Sequence, residues 1–201
     1  MTATPMPGPS MPDLEPAARA VAALAAGVGD GQLGDPTPCP GMTVRNMLGH
    51  LVGLSVAFHD AARKDLGVTT GTNPADTAPD VDDEGRWRTE LPGRLTALAA
   101  AWRDPAAWDG TTQAGGVTLP GSVAGAVALN ELVVHGWDLA RATGQPYTPD
   151  TADLAACQSF LSASANDRTG TPFGPVIPVP PDASLLDRVI GLSGRNPHWT
   201  P

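Results

Sequence analysis

Residues 43–67, TVRNMLGHLVGLSVAFHDAARKDLG, carry the clearest periodic signal in the chain. Thr43 is a good helix cap, and Val44, Met47, Leu48, Leu51, Leu54 and Phe58 follow mostly at intervals of three and four. That spacing lays one apolar stripe along a long α-helix, which must therefore pack against other helices. One polar residue interrupts the stripe. His50 falls three residues after Met47 and four before Leu54, on the side that faces the core.

The same pattern recurs on both sides of this helix. Upstream, Asp13 can cap a helix with Pro16 in its first turn and apolar residues at Leu14, Ala17, Val21, Leu24 and Val28. A run of glycines from Gly27 ends it, and DPTPCPGM (35–42) reads as a rigid connector. Downstream, 67–83 is polar and acidic and reads as a loop. A helix over 84–103 follows, with Trp87, Leu91, Leu95, Leu98 and Trp102 on one face. Pro92 marks a kink there, or a nearby start of the regular part. Residues 104–121, with Gly115-Gly116 between β-favouring residues, predict a short hairpin or ordered loop. Further helices are expected over 122–143, stopped by Gly144, over 150–167, and over 184–193 after the Pro-rich string 173–183.

The first 12 residues hold four prolines and are expected to form a disordered lead-in. In a chain of 201 residues, the remainder (13–201) is expected to make one domain. Four long amphipathic helices with these connectors predict an all-α bundle carrying additional C-terminal helices and Pro-rich loops.

Composition narrows the function. Lys+Arg total 12 against 21 Asp+Glu, a net charge of −9, which argues against nucleic acid or an anionic membrane as partner. Two cysteines make neither a disulfide framework nor a Cys-rich zinc module. No apolar run is long enough to span a bilayer, and the start lacks the basic residues of a secretory signal. A cytoplasmic protein is the expectation.

The helix over 122–143 carries the chemistry. Its inward positions run Ala124, Val127, Glu131, Val134/His135, Asp138 and Ala142, so three ionisable residues share one face with apolar neighbours. Buried carboxylates are normally paired or bound to a metal. Glu131 and His135 sit one turn apart, a spacing that lets both grip one ion. His50 is the histidine placed to complete the set. His59 lies nearly opposite it on the helix, and His198 stands in a Pro/Trp tail. Two histidines and one carboxylate leave coordination positions open, as catalytic zinc sites do. The alternative is a buried Glu–His hydrogen-bonded pair without metal. Asp138 is a candidate to orient a ligand histidine from behind, or else to pair with Arg141 or Arg45. Asn46, one turn before His50, is a candidate to reach a metal-bound water. Cys39, in its Pro-locked turn without a CxxC partner, reads as an inert thiol.

The segments DPTPCPGMTVRNMLGHLVGL (35–54) and NELVVHGWDLARATGQ (130–145) resemble the two signatures of the DinB-like metal-binding superfamily, specifically the mycothiol-dependent maleylpyruvate isomerase N-terminal type. The tail FGPVIPVPPDASLLDRVIGLSGRNPHW (173–199) is similar to a short, single-domain subgroup lacking the isomerase's separate C-terminal domain. The resemblance implies a DinB-like four-helix bundle holding a divalent metal, usually Zn2+, on His50, Glu131 and His135. It also implies mycothiol as cosubstrate. Fe2+, Ni2+ and Cu2+ suit the same donors. The implied activity is that of a metal-dependent thiol transferase or isomerase acting on a small electrophile. A thiol-independent lyase, isomerase or hydrolase, and a non-catalytic binding protein, remain alternatives. A monomer or a homodimer fits equally.

Overall fold

A computed structural model describes residues 11–73, 81, 85–166, 168 and 173–201. The expected lead-in therefore lies outside the described residues except for 11–12, as do 74–80 and 82–83 of the acidic loop and residue 84 of the helix expected after it. Eight helices and one hairpin occur among the described residues: α1 Glu15–Ala26, α2 Val44–Arg63, α3 Val68–Gly71, α4 Trp87–Ala101, α5 Pro105–Trp108, β1 Thr111–Ala114, β2 Val117–Pro120, α6 Gly121–Thr143, α7 Thr151–Ala163 and α8 Leu185–Leu192.

Helices α1, α2, α4 and α6 form the bundle. Each of α1 and α2 packs against both α4 and α6, which puts α1 and α2 on one diagonal and α4 and α6 on the other. The apolar stripes meet at the centre: Leu14 and Val21 of the first stripe, Met47 and Leu51 of α2, Leu91 and Leu98 of α4, and Leu129 and Leu132 of α6 are all buried. Burying side chains of this size stabilises by about 1.5–3 kcal/mol each. Trp102, just past α4, donates its indole N–H to the Phe58 carbonyl at 3.0 Å and ties α4 to α2. Helix α7 packs on α6 and α8 on α7, an appendage outside the four-helix core.

The start of α2 follows its sequence closely. Thr43 Oγ1 accepts from the Asn46 N–H, and Asn46 Oδ1 accepts from the Thr43 N–H at 3.1 Å. Two orphan amides are thus satisfied reciprocally. The end of α2 departs from expectation. The helix stops at Arg63 rather than Gly67, and Lys64 adopts a left-handed conformation (φ 60°). From there its Nζ donates to the carbonyls of Ala107 and Asp109, at 2.9 and 3.0 Å, and those two bonds offset the backbone strain.

Two further expectations are corrected. The 67–83 segment is not wholly a loop, because α3 forms where the Gly67 N–H bonds Thr70 Oγ1 at 3.0 Å and the Gly116 N–H bonds the Thr70 carbonyl at 2.9 Å. The 104–121 connector holds α5 ahead of the expected hairpin, started by Asp104, whose carboxylate accepts from the Ala106 N–H. Pro92 sits inside α4, in its second turn. Gly144 ends α6 in the left-handed conformation, as its position predicts.

Candidate metal centre

The site lies between α2 and α6. His50 Nε2 and His135 Nε2 each lie 3.1 Å from the same oxygen, Glu131 Oε2. The two imidazoles meet edge to face with centroids 4.8 Å apart. One donor atom from each of the three residues lies within 4.8 Å of the others. The sequence spacing explains the arrangement: Glu131 and His135 are one turn apart on α6, and packing of α2 on α6 brings in His50 from the opposite side.

Behind His135 stands a second layer. His135 Nδ1 lies 2.9 Å from Asp138 Oδ2, so its N–H donates to a carboxylate that is itself fully buried. Asp138 also pairs with an arginine. The partner is Arg195, whose Nη2 lies 3.3 Å from Asp138 Oδ2 and 3.2 Å from Cys39 Sγ. The two arginines expected as alternatives go elsewhere: Arg141 donates to the Trp199 carbonyl and Arg45 to that of Val81.

Electrostatics couples the three central groups. Burial disfavours the charge on Glu131, but the imidazoles of His135 and His50 outweigh it and hold the carboxyl well below the usual carboxylate range. Burial likewise opposes the charge on His135, yet Glu131 and Asp138 prevail and push it up to about 9. Burial raises the Cys39 thiol above its ordinary value even though Arg195 pulls the other way.

Of the remaining expected residues, Asn46 is drawn into the α2 cap through its side-chain oxygen. His59 lies apart from the site, its Nδ1 2.9 Å from Asp60 Oδ1. His198 is exposed. Sequence reasoning passed over Arg195 altogether and set Cys39 aside as inert. The structure places both against Asp138, and Cys39, His135 and Asp138 form a second group of donor atoms within 4.8 Å of one another.

An all-α bundle of this order, with its central polar cluster shared between α2 and α6, is of the DinB-like class. The structure compares with two crystal structures of the mycothiol-dependent maleylpyruvate isomerase. One carries a histidine-to-alanine substitution (TM-score 0.62, 16 % identity, covering 92 % of this chain and 88 % of that one), and the other does not (TM-score 0.60, 18 % identity, covering 92 % and 89 %). At this identity the likeness establishes the fold. Residues 14–140 match the Mycothiol maleylpyruvate isomerase N-terminal domain, and the chain belongs to that family. Two uncharacterized proteins of Mycobacterium tuberculosis, from strains CDC 1551 and H37Rv, are each 29 % identical over 194 residues, covering 88 % of this chain and 92 % of theirs. No helix among the described residues is long and apolar enough to cross a membrane.

Proposed function

We propose that this protein is a divalent-metal enzyme, with zinc the favoured ion, that activates a low-molecular-weight thiol for attack on a small electrophile. The observation that carries this reading is the convergence of His50 Nε2, Glu131 Oε2 and His135 Nε2, the carboxylate oxygen lying 3.1 Å from each nitrogen. A tetrahedral ion with bonds of about 2.0–2.1 Å sets its ligand atoms roughly 3.3 Å apart, close to the two spacings from Glu131 Oε2, which supports this donor set. Three protein ligands leave a position for the thiol. Membership of a family described by mycothiol and maleylpyruvate isomerisation supports mycothiol as that thiol.

Each residue has a separable task. Asp138 accepts from His135 Nδ1 and fixes the tautomer that presents the Nε2 lone pair toward Glu131 and His50. Glu131 supplies one negative charge to a largely enclosed site and balances half the charge of a divalent ion. His50 closes the site from α2. When bound, the ion lowers the pKa of a coordinated thiol, which is ordinarily about 8.5, so that the nucleophile is ionised at neutral pH. A cytoplasmic setting, where thiols stay reduced, suits this chemistry.

Turnover of a small electrophile such as a halodinitroarene or a maleyl ketoacid, measured with and without mycothiol in zinc-loaded protein, tests the reading. Thiol-dependent turnover lost in Glu131→Gln is expected. Turnover independent of thiol would replace the transferase reading with metal-assisted lyase, isomerase or hydrolase chemistry. Metal and thiol binding without product would leave a non-catalytic binding protein.

A further inference from the structure

We infer that Arg195, from the C-terminal tail, is a positioning residue that locks Asp138 onto His135 Nδ1 and thereby aims His135 Nε2 at Glu131 and His50. Arg195 lies beyond residues 14–140, the stretch that defines the family match. The inference rests on the proposed metal centre for its functional meaning, although the contacts stand without it.

The geometry has three parts. First, a single oxygen carries the junction: Asp138 Oδ2 faces both His135 Nδ1 at 2.9 Å and Arg195 Nη2 at 3.3 Å, while Oδ1 has no hydrogen-bond partner among the described residues. A buried carboxylate that spends one oxygen on both neighbours has its plane set by the pair of them, and removing the guanidinium frees it to turn. Second, the same Nη2 reaches Cys39 Sγ at 3.2 Å, and Nη1 reaches the Ser193 carbonyl at 3.3 Å. The guanidinium therefore joins the 35–42 connector, α6 and its own tail. Its side chain is 11 % exposed, so water competes weakly for these contacts.

Third, the backbone delivers Arg195 to this position by a defined helix ending. The Arg195 N–H bonds the Ile190 carbonyl at 3.1 Å and the Gly194 N–H bonds that of Gly191 at 3.1 Å, a Schellman-like stop to α8. Gly194 holds φ +85° and a Cβ there would lie 3.1 Å from the Gly174 backbone, so conformation and space both require glycine. Four residues further on, the Trp199 carbonyl accepts from Arg141 Nη2 at 2.7 Å, which pins the tail to α6 on the far side of Arg195. The α7–α8 appendage is thus part of the site's scaffold.

The test compares Arg195→Met and Arg195→Lys with wild type, in full-length protein shown to be folded by circular dichroism. Zn2+ and Co2+ affinities are read by competition with a chromophoric chelator, and the visible spectrum of bound Co2+ is recorded. Loss of an outer partner of a ligand histidine typically weakens metal binding about 10–100-fold. That loss is expected for Arg195→Met, with an altered cobalt spectrum and partial recovery in Arg195→Lys. In an Asp138→Asn background, Arg195→Met is expected to add little, because its effect passes through Asp138. Wild-type affinity and spectrum in Arg195→Met would overturn the inference. If wild-type protein takes up neither metal, the metal reading itself has failed, and the Arg195 inference is judged on the metal-free protein by the His135 Nδ1–H proton resonance. A slowly exchanging, downfield signal in wild type that is lost in Arg195→Met supports it, and an unchanged signal in Arg195→Met refutes it.

Discussion

Asp138 Oδ2 lies 2.9 Å from His135 Nδ1, on the opposite edge of the imidazole from Glu131, whose Oε2 is 3.1 Å from Nε2. The ring is therefore gripped at both nitrogens by carboxylates, one of them fully buried. Because Asp138 also faces a largely buried Arg195, removing it has two consequences. Asp138→Ala leaves a cation without its partner, a change that costs about 3–5 kcal/mol in buried pairs. It also releases the ring, so that whatever folded protein remains binds metal about 10–100-fold more weakly. Denaturant unfolding and chelator competition on the same preparation check both. Wild-type values in both would remove Asp138 from the site.

The metal-free protein carries a pH signature. His135 is raised from the ordinary 6.5 to about 9 by Glu131 and Asp138 against the opposing effect of burial. A group protonated more readily in the folded state contributes stability that is fully present below its unfolded value and disappears as pH rises through the folded one. The apoprotein should therefore lose stability between pH 6.5 and about 9. The metal-loaded protein, with a cation replacing that proton, should not lose it. Melting curves across this range with and without chelator show the difference. Calorimetric titration at pH 7.5 in buffers of different ionisation enthalpy should also register proton release on metal binding.

Gly136, next to His135, cannot grow. A Cβ there would meet Tyr147 Oη at 2.8 Å and two ring carbons at 3.1 and 3.2 Å. The Tyr147 hydroxyl is itself held, donating to the Val133 carbonyl at 2.9 Å. Alanine favours a helix over glycine by up to about 1 kcal/mol, but overpacking costs about 1–3 kcal/mol, and overpacking is expected to win. Gly136→Ala should unfold at lower denaturant concentration than wild type. Combined with Tyr147→Ala, it should lose most of that extra penalty.

The cap of α2 gives a simpler expectation. Thr43→Ala removes the hydroxyl that accepts from the Asn46 N–H, while the backbone N–H of residue 43 still donates to Asn46 Oδ1, and should cost about 1 kcal/mol. Asn46→Ala should cost a similar amount. If Asn46 serves only the cap, its variant should leave turnover unchanged once stability is matched.

Features with a local period were legible in the sequence. The stripes over Met47–Leu51–Leu54 and Leu91–Leu95–Leu98 marked the bundle helices, and the polar breaks in the stripes pointed to His50, Glu131 and His135, which the structure brings together. Features made by distance or brevity were not. Arg195 meets Asp138 across 57 residues and Cys39 across 156, contacts that no spacing rule encodes. Helices α3 and α5 are four residues each, too short to show a helical period. Lys64 ends α2 through bonds to carbonyls more than 40 residues away, so nothing nearby in sequence signalled the stop.

The central claim is that His50, Glu131 and His135 hold a metal ion. Elemental analysis of untagged protein, wild type beside His135→Ala with folding confirmed in both, tests it most directly. About one zinc per chain is expected in wild type, with most of it lost in the variant. A wild-type protein that folds and remains without stoichiometric metal after reconstitution would contradict it, and would leave Glu131 and the two histidines as a buried hydrogen-bonded cluster.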